Sequence, residues 1–265
     1  MRSFLVIAAL AALLLLGPDV YPWPRTGPGE PLAARIAPPA GFVRAPAEGF
    51  ARWLRNLPLR PGRPPIRDRK GNVLPRDPHL AVVDLDVLPH QECADSAMRL
   101  RAEWLRASGR DAEVHFRFTS GDEASLEKWQ KGFRPLVAGN RVTWRRSAAP
   151  DRSDTTFRAY LTTLFNYAGS ASLEKETTAL PLAELAIGDL FVQGGFPGHV
   201  VVVVDVAEHP MTHERVFLLA QGFMPAQDFH VVRGPRDGWF PLDFGATLVT
   251  PDWTFRRDHL RRFAR

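Results

Sequence analysis

Cys93 and His199 are the residues of this 265-residue chain best suited to covalent chemistry. A thiol attacks as its thiolate, and a histidine within reach can take the proton and later hand it to a leaving amine. Cys93 is the single cysteine, so it has no disulfide partner in its own chain. It is therefore either a small packed hydrophobe or a nucleophile. It opens a helical pattern in which Ala94, Ala97, Met98, Trp104 and Leu105 fall on one face, ended by Ser108-Gly109. A helix start offers unpaired N–H groups and the positive end of the dipole. Both lower a thiol's pKa, and the same N–H groups can hold an acyl oxyanion.

His199 follows Pro197-Gly198 and begins the most apolar strand, Val200 to Val206. A strand holds the ring on a stiff element, and the glycine permits close backbone approach. The third requirement is a group that orients the ring. With a hairpin turn centred near Met211, residue 201 faces 221, and residues 199 and 221 share one face on a diagonal. Gln221 is thus the candidate orienter. Asp205 has the same parity but lies further along and reads as a strand-end residue. Gln227 and Asp228 are rivals for the role. Gln91 is a candidate oxyanion donor through its side-chain amide, or else a helix-start residue. Asp95 suits the helix N-terminus.

These residues need elements to hold them. Phe50, Trp53, Leu54 and Leu57 predict a short amphipathic helix stopped by Pro58. Leu80 to Val87 reads as a strand. Val114 to Phe118 and Arg141 to Trp144 read as strands, and Leu161, Leu164, Phe165 and Ala168 as a helix stopped at Gly169. Leu185 to Gln193, Val200 to Val206, Val216 to Gly222 and Val231-Val232 form a meander. Helices first and an antiparallel meander after predict an α+β fold with a helix packed on a sheet.

The chain starts with Met1-Arg2-Ser3 and an uninterrupted apolar run from Phe4 to Leu16. This reads as a signal peptide over residues 1–17, too short for the roughly 20 apolar residues that span a bilayer. No clean cleavage site follows, so the segment is either cut or kept as an N-terminal membrane anchor. Residues 18–40 are rich in proline and glycine and read as a linker, with a single domain over residues 41–265. The expected location is the periplasm or cell envelope. The net charge of +5 comes from scattered arginines. That pattern fits a solvated surface or contact with anionic envelope polymers better than nucleic acid. No phosphate-binding loop and no Gly-x-Ser-x-Gly elbow occurs. His209 and His213 are interrupted by Pro210 in a hairpin turn, which argues against zinc. No metal or cofactor is expected.

Two resemblances follow from these motifs. Ile187-Gly188-Asp189-Leu190-Phe191-Val192, a Gly-rich loop and Gly198-His199-Val200-Val201 resemble the second half of papain-like NlpC-type cell-wall endopeptidases, over about residues 88–232. That resemblance implies a papain-like core, a Cys-His-polar triad of Cys93, His199 and Gln221, and hydrolysis of an amide bond, commonly in peptidoglycan peptides. The longer Cys-to-His interval then implies an insertion around residues 110–185. The wider segment from Gly41 to Phe263 resembles a bacterial family of exported proteins of unknown function. Its pattern is Gln91-x-Cys93-Ala94-Asp95, Gly194-Gly195-x-Pro197-Gly198-His199 and Gln221-x-x-Met224-Pro225-Ala226-Gln227. The expected function is an exported cysteine hydrolase that cleaves an amide bond in peptidoglycan peptides, and the expected partner is cell-wall peptide or glycan. A non-catalytic envelope binding module and an acyltransferase are the alternatives. The oligomeric state is not legible.

Overall fold

A computed structural model describes residues 20–264. The signal segment expected over residues 1–17 lies outside the described residues. The fold is α+β, built on one antiparallel sheet. Its main strands are β1 (His79–Val82), β2 (Thr178–Ala179), β3 (Leu190–Gln193), β4 (His199–Glu208), β5 (Arg215–Gln221), β6 (His230–Val232) and β7 (Leu260–Arg262). They run in the order β1-β6-β5-β4-β3-β7-β2. Two short strands, Val43–Arg44 and Phe240–Pro241, extend β4 and β5.

Helix α1 (Gly49–Arg55) and helix α2 (Cys93–Ala107) both pack on β4. Val200, Val202 and Val204 join Ala94, Ala97 and Met98 of α2 in one core. Val201, Val203 and Val206 point the other way, into a core with Phe191, Phe217 and Phe255. Both faces of β4 are covered, which is why residues 200–204 are unbroken valine rather than alternating. Each such side chain contributes about 1.5–3 kcal/mol on burial, so the centre of the sheet is the most firmly held part of the molecule.

The β4–β5 hairpin carries the register on which the site depends. Near the turn Glu208 pairs with Arg215, whereas beyond a shift between Val203 and Asp205 the pairing is Val202 with Ala220. Continued one step, the second register sets residue 201 opposite 221. His199 and Gln221 therefore share a face. Without the bulge Gln221 would fall opposite Val202 and turn to the other face.

Asp205 sits at this bulge and is fully buried. Its carboxylate accepts from Arg44 Nε and Arg55 Nε, each at 2.7 Å. It ties the outer strand and α1 to β4.

Residues 20–40, read as a linker, are in fact a strap on the body. Trp23 and Leu32 are buried. Trp23 Nε1 donates to the Asp84 carbonyl at 2.6 Å, and Thr26 binds the Asp84 carboxylate through its N–H and hydroxyl. Proline-rich backbone is extended and lacks donors. Here two large apolar side chains within it supply the anchorage that composition does not show. The stretch expected as an insertion holds two small hairpins, His115–Arg117 with Glu123–Ser125 and Phe133–Ala138 with Arg141–Arg146. Helices α3 (Asp154–Tyr167) and α4 (Ser170–Glu176) follow them.

Replacing Asp205 by alanine leaves two part-buried arginines without their shared anion. Stability should fall by about 3 kcal/mol, read as the urea-unfolding midpoint. An unchanged midpoint would show that water satisfies both guanidinium groups.

Candidate functional site

Cys93 stands in the first turn of α2. The chain enters that turn through His90 in the left-handed conformation (φ 63°). The Glu92 N–H donates to Asp95 Oδ2 at 2.9 Å, which occupies one of the free donors of the helix start. The end of β5 presses against this turn at Gly222. A Cβ there would lie 2.5 Å from Ser96 Oγ and 2.8 Å from the Glu92 carbonyl oxygen, so only glycine lets strand and helix meet. Gly198 plays the same part before His199, since a Cβ would lie 2.3 Å from Ser170 Oγ.

Cys93 and His199 line one cavity of about 580 Å³, shared with Glu92, Asp95, Phe196, Met224 and Trp253. His199 Nε2 lies 2.7 Å from Gln221 Oε1. Gln221 Nε2 donates to Asp252 Oδ2 at 2.6 Å and lies 3.2 Å from His230 Nε2. His230 Nδ1 lies 2.9 Å from the Asp228 carbonyl oxygen.

These contacts assign the protons. A backbone carbonyl only accepts, so His230 carries its proton on Nδ1 and accepts on Nε2. A carboxylate also only accepts, so the NH₂ end of Gln221 must face Asp252 and His230. The amide oxygen then faces His199, whose Nε2 is the protonated nitrogen. The lone pair of His199 is left on Nδ1. Asp252 is itself held by Arg76 Nη1 at 2.7 Å, and Arg76 stacks on Phe223 at 4.6 Å. The ring of His199 is enclosed by Phe223, Trp253 and Phe255, with centroids 4.9, 5.3 and 5.9 Å away. Trp253 Nε1 donates to Gln193 Oε1 at 3.2 Å, which fixes the indole.

Burial pushes the His199 imidazole down to about 4, against the opposing pull of the Gln221 hydrogen bond. Burial likewise pushes the Cys93 thiol up to about 12. The backbone N–H groups of Val200 and Ala94 favour the thiolate, while the charges of Asp95 and Glu92 oppose it. The helix start therefore does not win here, because burial outweighs it, with a smaller contribution from the two carboxyls that share the turn. Cys93 keeps partial exposure at the cavity wall, yet the direction is plain: thiol and imidazole are both neutral at pH 7. Among the described residues no hydrogen bond joins the two. Burial also pushes Asp95 up to about 8 and raises Glu92.

The other sequence candidates lie off this cavity. Gln91 is fully buried. Its Oε1 accepts from Leu88 N and from Arg99 Nη1 (2.6 Å), while its Nε2 faces Ser96 Oγ at 3.4 Å. It ties the loop before α2 to the helix. Asp205 serves Arg44 and Arg55. Gln227 is fully buried, and neither of its amide atoms has a partner among the described residues. Asp228 receives Arg60 and the Arg67 N–H. Among the described residues no group of three or more His, Cys, Asp or Glu is placed to hold a metal ion. Sequence reading missed Asp252, Trp253, Phe223, His230 and Arg76. The one local signal was an Asp-Trp pair in a turn between two short strands.

A family model described as a domain of unknown function (4846) matches residues 32–262. The chain belongs to that family. The domain so defined runs from the Leu32–Arg35 helical turn to the end of β7 and contains the whole cavity. No curated protein and no solved structure matches the chain.

Nitrogen-15 NMR of the His199 ring should show a single Nε2–H tautomer at pH 7, titrating near pH 4. In Gln221→Leu the acceptor is gone and the Nδ1–H form should appear. Asp252→Ala should move the ring the same way by less, since His230 still holds the amide. A tautomer indifferent to both changes would refute the proton assignment.

Proposed function

We propose that this chain is an exported cysteine hydrolase that cleaves an amide bond in the cell envelope. One observation carries the reading. A helix-start thiol and a histidine share a cavity wall, and the far nitrogen of that histidine is committed to Gln221. The likeness to a papain-like, NlpC-type core belongs to the same proposal. It is supported by a cysteine-bearing helix on an antiparallel sheet, a strand-start histidine and a polar ring orienter. Export is supported by the basic start and the apolar run before residue 17. Among the described residues no helix is long and apolar enough to cross a membrane.

The reaction runs in two halves. Cys93 gives its proton to His199 Nδ1 as sulfur bonds to the carbonyl carbon. Free N–H groups of the first turn of α2 hold the oxyanion. The C–N bond breaks, and His199 returns the proton to the leaving amine. Water then attacks the thioester and gives a proton to His199. The acid departs and the sulfur recovers its proton. Because both groups rest neutral, the proton moves during the attack and not before it. Asp252 and Gln221 act through the ring and are positioning residues.

A second reading, a non-catalytic envelope binding module, is favoured by the neutral thiol and the absence of a thiol–imidazole hydrogen bond. Acyl transfer shares the first half-reaction and differs only in the acceptor.

Peptide release from purified cell-wall sacculi, followed by mass spectrometry, separates these readings. Cys93→Ala should lower release by roughly 10³-fold or more. For the wild type, kcat/KM should rise as pH climbs through about 4, where His199 loses its proton. It should then stay level to mildly alkaline pH, because deprotonation of the thiol in advance is not required. Undiminished release from Cys93→Ala sinks the hydrolase. Sacculus binding that survives this change, with nothing released by either protein, favours the module.

A further inference from the structure

The chain carries 34 lysines and arginines, yet among the described residues none lines the cavity at Cys93. Its titratable wall groups besides the thiol are the carboxyls of Glu92 and Asp95 and the imidazoles of His90 and His199. Arg76 stacks on Phe223 from off the wall and gives its charge to Asp252. Most of the remaining wall is apolar or small, and two large apolar residues stand out at it. Phe196 is fully exposed and Met224 is 52% exposed. Isolated exposed hydrophobics are ordinary, but two on separate loops of the same cavity mark a binding surface. Two turns further along α2 cations do reach a cavity wall, mixed with carboxyls. There a cavity of about 400 Å³ is lined by Arg101, Arg117 and Lys175 beside Glu113, Glu123 and Glu176. The cations of this molecule are thus available near α2 but are kept from the thiol.

We infer that the Cys93 cavity takes an apolar amide segment that bears no carboxylate or phosphate. The inference rests on reading this cavity as the substrate site, and it narrows the substrate within that reading. An anionic group brought here would lose its water and find no lysine or arginine to replace it, with the Glu92 carboxyl on the same wall. An apolar side chain would instead cover Phe196 and Met224 and remove them from water. Cell-wall peptides meet the requirement only through stretches whose carboxyls are amidated or lie outside the cavity. Acyl chains and apolar peptide amides meet it directly.

The thiol itself reports on the wall without any turnover. Cys93, as the sole cysteine, can be alkylated with N-chloroacetyl-leucinamide, which is neutral and apolar, or with N-chloroacetyl-glutamate, which is anionic. Each rate is divided by its rate on the protein unfolded in urea, which removes intrinsic reactivity. The neutral probe should be favoured by roughly tenfold or more in the folded protein. The preference should persist in His199→Ala, where the proposed base is missing, so that loss of hydrolysis and loss of selectivity are separate results. Phe196→Ser combined with Met224→Ser should slow the leucinamide probe several-fold while leaving iodoacetamide, which is small and neutral, unaffected. Equal normalised rates, a faster anionic probe, or a folded thiol closed to every probe would each overturn the inference.

Discussion

The amide of Gln221 is the point on which the site turns. It is fully buried and lies among partners from three separate segments: His199 on β4, His230 on β6 and Asp252 in the turn between the strands Thr247–Val249 and Thr254–Arg256. An amide has a donor end and an acceptor end of nearly the same shape, so it is indifferent to a flip unless its neighbours are not. Here Asp252 and His230 both demand a donor, and the oxygen has only His199 to face. A single side chain thereby converts the fixed chemistry of a carboxylate and a backbone carbonyl into a fixed tautomer at the ring. The bulge in β4 is what brings Gln221 to that face at all. Arg76 holds Asp252 in place. Trp253 and Phe223 close the ring off from water, and in a drier setting each of these bonds is stronger.

The same enclosure decides the electrostatics. A helix N-terminus favours a thiolate, but typically by about 0.3–1 kcal/mol for an exposed charge. Burial and two neighbouring carboxyls outweigh it at Cys93. The imidazole is subject to burial as well, and one hydrogen bond to a neutral amide does not restore its basicity. A site built this way stores no ion pair. It holds two neutral groups at one wall and leaves charge to develop only when a reacting carbon arrives. That distinguishes it from a site in which a thiolate and an imidazolium stabilise one another at rest.

Much of this frame was legible in the sequence, because periodicity reports burial directly. The 3.6-residue apolar spacing after Cys93 gave α2, which ends at Ala107 against the stop read at Ser108-Gly109. Strands β3, β4, β5 and β6 each fall within or close to a run read as a strand. The pairing of His199 with Gln221 followed from hairpin parity, although the bulge that makes the parity hold was invisible, because an unbroken valine run shows no phase. Asp252, Trp253 and Arg76 were not legible. They reach the site across long sequence distances, from turns whose residue types read as ordinary loop. Gln91 and Asp205 were plausible by type and place, yet their atoms are spent on Arg99, Arg44 and Arg55. Sequence shows that a polar group is present. Only the fold shows what it is bonded to.

Charge adds a final constraint that composition concealed. A net charge of +5 suggests a molecule that attracts anions everywhere. The arrangement along α2 says otherwise. At its N-terminus stand Glu92, Asp95 and the thiol, while Arg101 lies further on, stacked near Phe50, Trp104 and Phe263 at 4.9–5.9 Å from the three ring centroids. Acid at the start of a helix and base further along complement the dipole, so this order is the stable one. In this chain the wall at Cys93 also holds no lysine or arginine among the described residues. The demand of the helix for stability and the character of the wall around Cys93 are thus met by the same residues. A substitution that brought a cation to Cys93 would have to oppose both.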